Sequence, residues 1–189
     1  MKNVTAICHL EGSSHSNGAL AFATAHGQIN FVLSLSNDLS RSTNRVETFM
    51  LKPAQRSAIV AMRGLLLETD SEKENVTKHL YCFLVMTAAG QLHSIQVETG
   101  SDQESSPGQS VPPSVEIKAT YKNREGVNLK QEISLHNVSS RPGGSALVAL
   151  VEDSESIVLI DPLSLNKVLV YQIPSFHFGI NFRDIEILD

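Results

Sequence analysis

Tryptophan is missing from this chain of 189 residues, cysteine occurs only twice, and aromatic side chains make up 5% of it. Nor does any window reach the roughly 18 consecutive apolar residues of a membrane-spanning helix, so no membrane span is expected. Each shortage excludes something. Two cysteines, Cys8 and Cys82, each set in an apolar strand-like stretch, cannot staple a secreted disulfide scaffold and read as small buried hydrophobes of a reducing compartment. The amino terminus has one basic residue and too short an apolar run for a signal peptide, so the expected location is cytoplasmic or nuclear. Lys and Arg number 15 against 20 Asp and Glu, a net charge of −5, which disfavours nucleic acid as a partner. The remaining composition, 41% hydrophobic and 19% charged, is that of a globular chain long enough to bury a core.

Chemical signatures are also scarce. Seven histidines (His9, His15, His26, His79, His93, His136, His177) form no HisXxxXxxXxxHis pair, and no CysXxxXxxCys pair accompanies them. A GlyXxxSerXxxGly nucleophile elbow is absent, and the glycine-rich ArgProGlyGlySer at 141–145 runs into a strand-like segment where phosphate cradling needs a helix. GluAspSerGlu at 152–155 reads as a solvated hairpin turn. No catalytic, cofactor-binding or metal-ligating residue is therefore proposed, no cofactor is expected, and the chain is expected not to be an enzyme.

What is present is repetition. ThrAlaXxxGlyGln occurs at 24–28 and again at 87–91, a spacing of 63 residues, each time with an apolar strand-like run on either side. Gly27 and Gly90 are the residues expected to take positive φ in tight turns, and Thr24 and Thr87 to hydrogen-bond across them. A third hairpin follows around 146–161 without the same letters. Ile29, Leu92 and Ile157, the first apolar residues after the three turns, stand 63 and 65 residues apart. Fixed-period self-similarity built on hairpins indicates an array of β-units.

Flanking strand-like segments complete four strands per unit. They are expected at 4–10, 20–25, 29–35 and 45–51, at 58–67, 80–87, 92–98 and 115–121, and at 129–135, 146–151, 157–161 and 167–173. The stretch 53–68 fits a helix or a strand, and strand is favoured because of Gly64, Ile59 and Val60. Polar segments at 36–44, 69–77 and 98–114 read as surface loops, the last one disordered. Ser106, before Pro107, is a candidate phosphorylation site there.

The segment IleValLeuIleAspProLeuSerLeuAsnLysValLeuValTyrGlnIle at 157–173 resembles the inner hairpin and outer strand of a WD-repeat β-propeller blade, although the chain has no TrpAsp dipeptide. That resemblance spans about three units, 1–53, 54–123 and 124–176, with a stub at 177–189 that opens a fourth. It implies an all-β fold of antiparallel four-stranded blades in an incomplete β-propeller, expected to be a fragment or isoform of a larger complex subunit. The implied function is a non-catalytic protein–protein interaction scaffold whose partners are other protein subunits. Phe176, Phe178 and Phe182 form the densest aromatic cluster available to pack a core. An enzyme or small-molecule binder using a propeller channel is the alternative, and a two-sheet β-sandwich is a third reading. Terminal units without neighbours predict an isolated chain that self-associates or folds incompletely.

Overall fold

A computed structural model of the chain describes residues 3–10, 18–35, 45–52, 57–69, 78–99, 113–121, 136–138, 147–152 and 156–172. These residues are all-β. The first sheet is built in the order β1 (Val4–Leu10), β2 (Gly18–Thr24), β3 (Gln28–Leu35) and β4 (Arg45–Met50). The second takes β5 (Ile59–Thr69), β6 (Lys78–Thr87), β7 (Leu92–Thr99) and β8 (Ser114–Tyr121), and the third takes β9 (His136–Val138), β10 (Leu147–Glu152), β11 (Ser156–Ile160) and β12 (Lys167–Gln172). Every pairing is antiparallel between consecutive strands, so each sheet is a four-stranded meander. Residues 59–68, open to a helical reading, belong to a strand, in which Ala61 and Leu65 turn to one buried surrounding and Met62 and Leu66 to the other.

The four strands of each sheet fall within 1–53, 54–123 and 124–176 respectively. At the 98–114 loop, Glu98 and Thr99 end β7 and Ser114 opens β8. The expected first strand of the third unit at 129–135, the stub at 177–189, the glycine cluster at 141–145 and Ser106 lie outside the described residues. Three sheets, not two, exclude the sandwich reading for the described part, and these sheets do not close into a ring.

The sheets pack face to face in chain order. We call the face turned toward the preceding sheet the front and the other the back. Period-two alternation sends Tyr81, Phe83 and Val85 of β6 to the front, into a core shared with the first sheet, and Cys82, Leu84 and Met86 to the back, into a core shared with the third. This explains the unbroken apolar run of 80–86, since a strand buried on both sides needs no polar face. On the first sheet's back the side chains are small on β2 (Ala19, Ala21, Ala23) and large on β3 (Ile29, Phe31, Leu33), all buried. The alanines leave room for the bulky front of β6, and Phe31 meets Phe83 with ring centroids 4.9 Å apart at 47°. Gly64 permits the closest approach: a Cβ there would lie 2.8 Å from the Leu10 side chain.

Strand register carries the repeat further than the letters do. The 63-residue offset maps Ala19, Ala21, Ala23 and Ile29 onto Cys82, Leu84, Met86 and Leu92, back face onto back face. A bulge follows the start of the opening strand in both units, between Val4 and Ala6 and between Ile59 and Ala61. A second bulge recurs between units two and three, after Ser94 and after Leu159. Bulges fix local bend and register, so these shared irregularities mark the units as structural equivalents.

Candidate functional site

The repeated ThrAlaXxxGlyGln is the β2–β3 and β6–β7 turn. Gly27 and Gly90 have φ of 72° and 74°, and each donates its N–H to the carbonyl of the threonine three residues earlier, at 3.2 and 2.9 Å. In the second unit Thr87 also bonds across the turn, its Oγ1 accepting from the Gln91 N–H at 3.2 Å, whereas Thr24 Oγ1 accepts from the His26 N–H at 3.4 Å. These letters build a turn. Beside the first of them, Ala25, His26, Met50 and Ser57 line a shallow depression of about 310 Å³. Among the described residues that line it, His26 is the one titratable group.

Two polar pairs, each with one buried member, occupy equivalent places on the front faces. In the first sheet Asn30 Oδ1 accepts from Thr48 Oγ1 at 2.9 Å and from Gln28 Nε2 at 3.1 Å. In the second, His93 Nδ1 lies 2.9 Å from Thr120 Oγ1. The third has Val158 facing Val170 in the corresponding register. His93 is fully buried, its Nε2 has no hydrogen-bond partner, and burial lowers its pKa from the usual 6.5, so the ring is neutral.

A third polar cluster joins the second and third sheets. Ser94 Oγ donates to the Pro162 carbonyl at 2.7 Å, and Cys82 Sγ reaches the same oxygen at 3.5 Å. The carbonyl is aimed there by the 161–166 turn. Asp161 Oδ1 gathers the Leu163 N–H, the Ser164 N–H and the Ser164 hydroxyl at 3.1, 2.7 and 2.8 Å, and Leu165 adopts φ 57°. A leucine pays for that backbone only because its side chain is buried in the shared core. Burial pushes the Cys82 thiol up to about 11, against a smaller lowering by its contact with Ser94, and burial also raises Cys8. Both cysteines are free, buried and protonated, the reverse of an activated nucleophile.

The described residues bring no three His, Cys, Asp or Glu side chains together as a metal-ligand set, and contain no helix long and apolar enough to cross a membrane. Phe176, Phe178 and Phe182 lie outside them. What stands out instead is exposed apolar surface at the two ends of the stack. Ile7 is 66% exposed, whereas Met62, at the same place in the second sheet, is 5% exposed. At the other end Tyr171, opposite Ile157, is 56% exposed, whereas Tyr121, opposite Leu92, is 6% exposed. Phe49, opposite Ile29, completes this column of aromatics.

Sequence reading passes over Ile7 and Tyr171. The signal was present as an aromatic on each fourth strand, but unequal connecting loops space these residues at 72 and 50 positions and hide the column from a search at constant period. No known protein-family model matches this chain, and no curated protein matches it either.

Proposed function

We propose that the three sheets are successive blades of a β-propeller-type array and that the chain is a non-catalytic scaffold binding other protein subunits. The observation that carries this reading is the contrast between equivalent residues. Side chains that are core between sheets, at Met62 and Tyr121, are surface at Ile7 and Tyr171. Contiguous exposed apolar side chains on a β-sheet mark a contact surface for protein. The polar groups support the same reading, because Ser94 and Cys82 serve the seam between the second and third sheets, Asp161 holds a turn, and Asn30 is bonded within its own sheet.

A photo-crosslinking side chain placed at Tyr171 in the full chain, in cells, tests it. A discrete adduct with another protein is expected there and not from the same group at Ser114, an exposed position on β8. Identical background from the two positions would remove the basis for a docking face.

A further inference from the structure

We propose that the front of the first sheet binds the back of the third sheet on a second copy of this chain, joining copies head to tail. The inference rests on the reading of the sheets as equivalent units and names the partner of their two exposed ends.

Among the described sheets, fronts meet backs twice. The first sheet's back covers the second sheet's front, and the second sheet's back covers the third sheet's front. Of the three described sheets, one front and one back are left over. The leftover front holds Ile7, Leu20, Phe22 and Val32, at the places taken by Met62, Phe83, Val85 and Ile95 in the buried front of the second sheet. The leftover back holds Ile157, Leu159, Leu169 and Tyr171, where the buried back of the second sheet has Leu92, Ser94, Ala119 and Tyr121.

Each surface is thus built like one already buried in the fold, and each matches the type of surface displayed at the opposite end. A foreign protein would have to reproduce a unit of this repeat to make the same contact. A second copy carries both halves. Because the two surfaces differ, the contact is heterologous: it propagates until it closes into a ring or remains an open chain.

One position weakens it. The glycine that admits Leu10 between the first two sheets, Gly64, corresponds to His9 on the exposed front, so copies cannot approach there as closely as the internal sheets do. The association is accordingly weaker than the internal packing and depends on concentration.

Sedimentation velocity of the full chain between roughly 1 and 200 μM, the range in which a micromolar Kd shows itself, reads this directly. Wild type is expected to pass from one chain to larger species as concentration rises. Ile7→Lys removes the front and Tyr171→Lys the back, so each variant alone stays monomeric, with an unchanged β-sheet circular dichroism spectrum. An equimolar mixture of the two restores one intact front and one intact back and yields a two-chain species that grows no further. The control Ser114→Lys associates as wild type does. Wild type that stays monomeric, a single variant that still self-associates through like faces, or a mixture that stays monomeric overturns the proposal. The scaffold reading would survive any of these if photo-crosslinking at Tyr171 captures a different protein.

Discussion

The seam between the first and second sheets and the seam between the second and third bury similar strands in different ways. The first is closed by shape: Ala19, Ala21 and Ala23 beside Tyr81, Phe83 and Val85, the Phe31–Phe83 ring pair, and the glycine that admits Leu10. The second adds direction to its apolar packing, since two donors on the second sheet converge on a single carbonyl of the third. Apolar burial is proportional to area and indifferent to small rotations, whereas a hydrogen bond to one oxygen fixes a turn in place. The first seam should therefore hold most of the stability, and the second should be specified by fewer, more replaceable groups.

Removing the ring at the centre of the first seam is the strongest way to break the contrast. Phe83 is fully buried, and Phe83→Ala should cost about 3–5 kcal/mol through lost burial and the cavity left behind. The denaturant midpoint should fall accordingly, and amide protection should be lost from β1–β4 together with β5–β8. A loss under about 1 kcal/mol would mean that neighbouring side chains collapse into the space and that the seam is not closed by shape.

Ser94→Ala probes the second seam. It leaves the Pro162 carbonyl with the weak thiol donor of Cys82 at 3.5 Å, at a cost of about 1–3 kcal/mol for an undersatisfied buried acceptor. Hydrogen exchange should speed up in β11 and β12 while β1–β4 stay protected. Equal acceleration in all three sheets would show that the seams melt as one unit and that their different chemistry has no separate consequence.

The same contrast explains what the sequence discloses. Hairpins were legible because β-branched and aromatic runs end at Gly27 and Gly90, where backbone geometry demands glycine, and because four short strands recur on schedule. The all-β meander follows from that alone. The seams were not legible, since whether Tyr81 and Cys82 face different neighbours depends on which sheet packs where, information that no local window contains. Nor could the Ser94–Pro162 bond be read across 68 residues of chain. Ile7 and Met62 look alike as letters, and only packing makes one surface and the other core.

A subtler comparison sets the front-face pairs against each other. Thr120→Val deprives His93 Nδ1 of its partner inside the first seam and should cost about 1–2 kcal/mol. Thr48→Val, at the equivalent but exposed position, should cost at most about 0.5 kcal/mol, because Gln28 still serves Asn30. Combining Thr120→Val with His93→Val reproduces the Val158–Val170 pair of the third unit and should recover most of the loss, since no polar group is then left stranded. Additive losses in that double variant would show that the pair is not an independent module of the repeat.

The smallest effect is the pH dependence of the first seam. Burial holds His93 below its usual 6.5, so as pH falls through 6.5 the unfolded chain takes up a proton that the folded chain refuses. Stability should therefore decline from that point downward and stop declining, as far as this group is concerned, below the folded pKa; above 6.5 the residue adds no slope. The informative quantity is the difference between wild type and His93→Asn, which installs the side chain found at the equivalent Asn30. Wild type should lose more stability than the variant between about pH 7 and 5, and parallel curves would show that the imidazole titrates normally and is not desolvated. Because His93 lies on the front of the second sheet, acid should loosen β1–β4 against β5–β8 before it disturbs the Ser94–Pro162 contact. That order is the reverse of the one set by Ser94→Ala, so the two perturbations together assign each seam its own means of opening.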